Sequence, residues 1–377
     1  MTIAFVPLKS VPVPLPQIEQ ELNRQMKELQ GAGETPVQYA CMSNLVIFCD
    51  RRDHAEEVAG QVPQIVASHP ARVLLLLGEA ETEGDSGGLT TSVLVRRLHS
   101  DRDQKNFSEQ LTLYAGGTAV AKLPFAVRAL LIGDLPINLW WRSQQPPPLA
   151  GALLYELADN AQQIIYDSFG WVEPARAVAA TYSWLERFEQ NLPGGRWRVA
   201  SDLNWRRLKY WRRLINQTFD DTAAPGAVTS ATELLVEHGP HAVVQAWELV
   251  SWLTSQYGWQ VQAGKIQVGL EIAWQFQAPH GLVTVRIRRL PEGPSEVLLL
   301  RLQCLVAGVP SALVIRRGEP GRLEALPEGA SAAPRTVNFL PQSPAELLAK
   351  QLSDRERDPI FTQSMRIAQE LAKSVLD

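Results

Sequence analysis

Cysteine is scarce. The 377 residues hold three, Cys41, Cys49 and Cys304. They are too few and too scattered for a disulfide framework or a zinc site. Cys41 and Cys49 also lack the short Cys-x-x-Cys spacing of metal and redox motifs. They read as reduced, buried thiols, with redox sensing through Cys41 or Cys49 as the competing use. No run of eighteen apolar residues is present, which argues against a membrane span. The N-terminus lacks the charged start and compact apolar core of a signal peptide, and prolines interrupt it early. A cytoplasmic location is expected. Neither sign of charge dominates: 36 basic residues face 40 acidic ones, for a net charge of −4, so no global nucleic-acid signature exists. No G-x-G-x-x-G follows a strand and opens a helix, no G-x-S-x-G elbow occurs, and no fixed-period repeat is evident.

What remains is an ordinary globular balance, 45% apolar and 20% charged, in a chain long enough for two or three domains. Residues 1–15 are apolar and proline-rich, an extended arm or edge strand, and 16–30 read as a polar helix. Continuous apolar runs at 43–49 and 71–77 flank a helical period at 54–67, the pattern of a parallel sheet covered on both faces. Residues 91–98 and 109–114 alternate, as an antiparallel extension or edge would. Further strands are expected at 135–141 and 163–167, and helices at 120–131, 149–159 and 174–190. The proline- and alanine-rich stretch 222–226 is the best hinge. A helix is expected at 241–257 with Val244, Trp247, Val250 or Ser251, and Thr254 along one face. Period-two alternation then runs through 267–277, 282–289, 297–306 and 312–317, an antiparallel meander, before helices at 343–352 and 359–376. The expected architecture is an arm and helix over 1–36, an α/β domain with a mostly parallel sheet over 37–221, and an α+β domain with an antiparallel sheet and terminal helices over 227–377.

The stretch 201–220, SDLNWRRLKYWRRLINQTFD, reads as one amphipathic helix. Leu208, Trp211, Ile215 and Phe219 form its apolar stripe, Trp205 lies at the edge, and Ser201 or Asp202 is placed to cap it. Arg206, Lys209 and Arg213 share the polar flank. Arg212 falls beside the stripe and so needs a carboxylate, a carbonyl or an aromatic face.

Chemistry is thin elsewhere. Gly116-Gly117 precedes a helical stretch where an anion could rest, or makes a simple turn. Asp167-Ser168 stands at a strand end, as a nucleophile or an Asx/Ser turn. His238 and His241 bracket Gly-Pro, which is not a helical metal-ligand spacing. The residues present thus nominate no catalytic group, metal or cofactor.

Three elements carry a family likeness. Asp134-Leu135-Pro136 through Leu139-Trp140-Trp141-Arg142 resembles the LP-x-x-LWW element of the OpcA family, the glucose-6-phosphate dehydrogenase assembly proteins. Ile165 to Ser168 resembles that family's V-D-S strand end, although Phe169-Gly170-Trp171 replaces the acidic stretch expected next. Asp202-Leu203-x-Trp205-x-Arg207-Leu208-x-x-Trp211-Arg212 resembles its DL-x-W-x-RL-x-x-WR helix. The resemblance implies a non-enzymatic partner of glucose-6-phosphate dehydrogenase in the oxidative pentose phosphate pathway. That partner would bind the enzyme as a hetero-oligomer and activate it allosterically, with no cofactor, nucleic acid or membrane. Trp140, Trp141, Arg142, Arg206, Lys209 and Arg213 are the expected partner-binding residues. Arg207 and Arg212 are expected to order the fold by pairing with buried acceptors. The competing reading is a sugar-phosphate-binding enzyme or sensor of central carbon metabolism.

Overall fold

The computed structural model describes residues 9–30, 41–80, 88–98, 106–159, 161–189, 191–192, 196–267, 271–329 and 333–376. The chain runs β1 (Val11–Pro12), α1 (Ile18–Gln30), β2 (Ser43–Cys49), α2 (Arg52–Ser68), β3 (Ala71–Glu79), β4 (Leu89–Leu98), β5 (Asn106–Gly116), α3 (Leu123–Leu130), β6 (Ile137–Arg142), α4 (Ala152–Leu157) and β7 (Gln163–Tyr166). It continues through α5 (Pro174–Phe188), β8 (Asn191–Leu192), β9 (Arg196–Trp197), β10 (Val199–Asp202), α6 (Leu203–Arg207), α7 (Lys209–Phe219), β11 (Glu233–His238) and α8 (Val243–Gln256). It ends with β12 (Gln260–Gln267), β13 (Glu271–Ala278), β14 (Gly281–Arg289), β15 (Val297–Val306), β16 (Val309–Arg317), β17 (Arg322–Ala325), β18 (Arg335–Asn338), α9 (Pro344–Ser353) and α10 (Pro359–Leu376). Two compact units result. One comprises residues 1–167, 188–203 and 343–356; the other comprises 168–187, 204–342 and 357–377.

The first unit is built on a sheet of order β1-β4-β5-β3-β2-β6-β7-β10. From β5 to β10 every neighbouring pair is parallel. β4 and the two-residue edge strand β1 extend it antiparallel, as the alternation in β4 anticipated, whereas β5, expected at such an edge from 109–114, pairs parallel with β3 inside the sheet. All seven residues of β2 are buried, which explains its unbroken apolar run. Ranked by chain position, the six parallel strands lie in the order 3-2-1-4-5-6, a doubly wound sheet whose order reverses between β2 and β6. Val58, Val62, Ile65 and Val66 of α2 share one core with Leu347, Leu348 and Leu352 of α9 and with Leu45, Ile47, Val73, Leu75 and Trp140 of the strands. α9 starts where Ser343 was expected to cap it. The Ser343 side chain accepts from the Glu346 backbone N–H, and Glu346 reaches back to the Ser343 N–H at 2.8 Å.

The expected single helix over 201–220 is corrected. Ser201 and Asp202 lie in a strand, with Asp202 directly before the first helical residue. They belong to β10, which pairs parallel with β7 and carries the sheet one strand further. Backbone pairing with an already formed sheet edge outweighs the helical reading of a short, mixed-polarity segment. The helix itself begins at Leu203 and breaks at Leu208 into α6 and α7.

The second unit holds a sheet of order β12-β13-β14-β11-β15-β16-β17-β18. All its pairs are antiparallel except β11 with β14, so the expected meander is interrupted by one inserted parallel strand. β12, β17 and β18 had not been anticipated. Trp247 of α8 packs against Trp274 at 5.4 Å, and the Trp274 Nε1–H donates to the Leu371 carbonyl of α10 at 3.1 Å. α8 was expected to bury one face; its residues from Val244 to Thr254 are all buried. Several of its polar side chains find partners. Ser251 and Thr254 donate to carbonyls one turn back, and Gln245 accepts the Val297 N–H at 2.8 Å.

Candidate functional site

In a doubly wound sheet, ligands bind outside the carboxyl ends of the strands where the order reverses. The first unit has a cavity of about 940 Å³ at that place, between the ends of β2, β3 and β6. Its floor is apolar. The Phe48 and Trp141 rings stack with centroids 4.5 Å apart, and the Trp141 indole N–H donates to the Gln145 carbonyl at 2.8 Å. Gly78 keeps the floor open. A Cβ there would stand 3.0 Å from the Phe48 ring.

The rim is dense in charge because the β2–α2 turn is Asp50-Arg51-Arg52-Asp53. Asp50 accepts the Ser143 hydroxyl at 2.7 Å and the Gln144 backbone N–H at 3.0 Å, which ties the end of β2 to the end of β6. Asp53 takes a two-pronged contact from Arg51, at 2.9 and 2.6 Å, and the His54 N–H at 3.0 Å. The Arg51 hydrogen bonds hold the Asp53 carboxyl down at about 2. Arg52 lies 3.6 Å from Glu79 and over the Tyr114 ring at 5.7 Å. Burial, and then the Glu79 carboxylate, push the Tyr114 phenol up.

The strand order implies a dinucleotide, whose pyrophosphate rests on a glycine-rich turn at a helix N-terminus. The residues here do not fit that group. From Cys49 to Ala55 the turn holds no glycine, and two carboxylates flank the start of α2. Sequence reading missed this site altogether. Its signal was five consecutive charged or histidine positions, Asp50 to His54, directly between an apolar strand and a helix.

The motif residues of the second unit converge elsewhere. The Asn204 amide N–H donates to the Ser168 hydroxyl at 3.1 Å, and the Arg207 guanidinium lies 5.8 Å from the Phe169 ring centroid. Trp205 packs on Phe361 at 5.3 Å, and its indole N–H donates to Asp358 at 2.8 Å. Arg212 lies 3.6 Å from the Trp205 ring centroid and donates to the Trp205 carbonyl at 2.8 Å, so it has both the aromatic face and the carbonyl its position demanded. Burial pushes the Arg212 guanidinium down to about 10 against the pull of Asp358 and Glu248, which leaves it cationic at neutral pH.

The expected partner-binding residues fall into three environments. Trp140 and Trp141 are buried in the first unit. Arg142 is half-buried and pairs with Glu57 at 3.3 Å. On the second unit, Arg206 is half-buried while Lys209 and Arg213 are exposed. The apolar stripe Leu208, Trp211, Ile215 and Phe219 is buried as the helical spacing required.

Other candidates resolve as structure. Gly117 sits at φ +53° and enters a 3-10 turn rather than an α-helix, and Ser168 is fully buried. His238 is buried, with Nδ1 2.7 Å from the Gly239 carbonyl oxygen. Among the described residues no group of three or more metal-ligating side chains comes together, and no helix is long and apolar enough to cross a membrane. Cys49 ends β2 and Cys41 precedes it. The strand separates them by roughly 20 Å at about 3.3 Å per residue, beyond the ~7 Å a disulfide allows. Burial also pushes the Cys49 thiol well up, away from the reactive thiolate.

Two family profiles match the chain in order. Residues 62–183 match the glucose-6-phosphate dehydrogenase subunit N-terminal domain, and 198–365 match the corresponding C-terminal domain. The chain belongs to the OpcA family. Among curated relatives, "Putative OxPP cycle protein OpcA" of Synechocystis sp. is 25% identical over 82% of this chain. Its namesakes in Nostoc punctiforme and Synechococcus elongatus are 28% identical over 52% and 22% identical over 69%. The alignments span 65%, 40% and 58% of those relatives, less than two thirds of each. Among solved structures, an oxidoreductase from Sinorhizobium meliloti aligns over 89% of this chain and 96% of its own, at 9% identity and a TM-score of 0.50. A super-repressor mutant of Gal80p from Saccharomyces cerevisiae aligns over the same shares at 10% identity and a TM-score of 0.50. At such identities the likeness establishes the Rossmann-like fold and nothing of the chemistry.

Proposed function

We propose that this chain is a non-catalytic partner of glucose-6-phosphate dehydrogenase that promotes its assembly and activates it allosterically in the oxidative pentose phosphate pathway. The observation that carries the reading is the ordered match of both domain profiles. The motif residues support it, because they form internal contacts and leave a cationic edge. Trp205, Arg207 and Arg212 hold the fold, and Lys209 and Arg213, with Arg206 beside them, face outward. Trp140, Trp141 and Arg142 serve the same binding indirectly, by fixing the first unit. Activation requires only that the chain bind one conformation or oligomer of the enzyme better than another, a coupling of about 1–3 kcal/mol.

The test is a steady-state assay of the dehydrogenase with and without this chain, alongside size-exclusion chromatography of the mixture. A co-eluting complex with altered turnover or glucose-6-phosphate affinity is expected. Lys209→Glu with Arg213→Glu should weaken the effect roughly tenfold, since charge reversal at a contact acts on association. Unaltered kinetics with no complex would remove the proposal.

A further inference from the structure

We infer that the crevice over β2, β3 and β6 is closed to nicotinamide and other diphosphate dinucleotides because the chain's own carboxylates occupy the donors a pyrophosphate would need. This goes beyond the partner role and does not depend on it.

A pyrophosphate at a strand–helix turn is held by backbone N–H groups of the first helical turn, by basic side chains and by hydroxyls. Five such donors around this turn are already committed to carboxylates. The His54 N–H and both prongs of the Arg51 guanidinium go to Asp53. The Ser143 hydroxyl and the Gln144 N–H go to Asp50. Arg52 lies beside Glu79. A diphosphate would have to displace these carboxylates and then remain next to their charge. The Asp50 contacts also bridge the loops after β2 and β6, across the gap over which a dinucleotide would extend. Side chains stand throughout the turn where close backbone approach needs glycine. The acids do electrostatically what a bound phosphate does in other doubly wound sheets. They complement the positive end of α2 from within the chain.

The positions of the two acids differ in a useful way. The Asp53 side chain is 58% exposed, so its replacement by asparagine removes charge without opening a cavity. Asp50 is three-quarters covered and ties two loops together, so its variant also reports on the bridge.

The experiment is isothermal titration of the full-length chain with NAD+, NADP+ and inorganic pyrophosphate. The wild type should show no saturable heat with any of them up to about 1 mM, weaker than ordinary cofactor sites. Asp53→Asn, and more strongly Asp50→Asn with Asp53→Asn, should bind pyrophosphate at least roughly tenfold more tightly, with the gain shrinking at high salt as screened charge requires. Circular dichroism confirms that each variant is folded, and the single Asp53→Asn variant decides if the double variant is not. Saturable NAD+ or NADP+ binding by the wild type overturns the inference. So does a folded Asp53→Asn variant whose pyrophosphate affinity equals that of the wild type. Neither result bears on stimulation of the dehydrogenase, so the two readings fail separately.

Discussion

Arg72 in the first unit and Arg212 in the second are both guanidinium groups set among apolar residues, and the fold treats them oppositely. Arg72 meets carboxylates. Its Nε donates to Glu109 at 2.6 Å, and its Nη1 donates to Glu19 at 2.8 Å and to the Leu130 carbonyl at 3.0 Å. Burial would push its pKa down, but Glu109 and Glu19 outweigh burial and the net shift is upward. Arg212 meets an indole ring and a carbonyl. With Asp358 and Glu248 acting only through space, burial wins and the shift is downward. The difference teaches that covering an arginine is neutralised by a bonded carboxylate and only softened by an aromatic face.

Breaking the carboxylate-matched site should have the larger effect. Arg72→Leu leaves the Glu109 carboxylate, 4% exposed, without its ion pair, and should cost about 3–5 kcal/mol in urea unfolding. Arg72→Leu with Glu109→Leu should recover most of that loss. A double variant as unstable as the single one would mean that shape, not charge, holds this corner. Arg212→Met should cost less, about 1–2 kcal/mol, the worth of a desolvated cation–π contact and one hydrogen bond, offset by relief of a buried charge. Equal losses at Arg72 and Arg212 would erase the contrast.

The smallest effects concern two buried histidines, one in each unit, which lie against a hydroxyl and a backbone carbonyl. His69 lies 3.1 Å from the Ser43 hydroxyl oxygen, and burial and then Arg355 push its pKa down. Burial pushes His238 down as well, against the Gly239 carbonyl. The unfolded chain therefore binds protons that the folded chain resists. Their contribution is present above the ordinary histidine value of 6.5 and is lost as pH falls through the lowered folded-state values. Urea midpoints measured between pH 7 and 5 should fall, and His69→Gln should flatten part of that slope. A slope unchanged in both His69→Gln and His238→Gln would assign it to carboxylates instead.

Strands and helices with one clear chemical habit were legible in the sequence. The apolar run of β2, the alternation of β15 and the proline-started α10 lie at Ser43–Cys49, Val297–Val306 and Pro359–Leu376, where their patterns put them. Elements whose polar residues find partners inside were not. The hydroxyls of α8 bond back to the preceding turn, so a helix buried all round looked one-sided. β10 carries little apolar signal of its own and is defined by the strand beside it. The crevice was hidden for a related reason. Charges in a strand–helix turn look solvated until the structure shows that Asp50 reaches residues about ninety positions away, Ser143 and Gln144. The need of Arg212 for an aromatic face or a carbonyl was readable from its place beside the apolar stripe, but Trp205 as the residue that supplies both, seven positions back and across the break at Leu208, was not.

The placement of α9 has a consequence for how the protein is made. Its leucines close the same core as α2 and the first strands, yet they are encoded after all eight strands of the other sheet. During synthesis the parallel sheet leaves the ribosome long before the helix that covers it. On the face that α9 covers, α2 alone is available as a covering helix until residues 343–356 emerge. Premature termination anywhere before that point leaves both units incomplete, so a chain cut there is expected to unfold more readily than the whole.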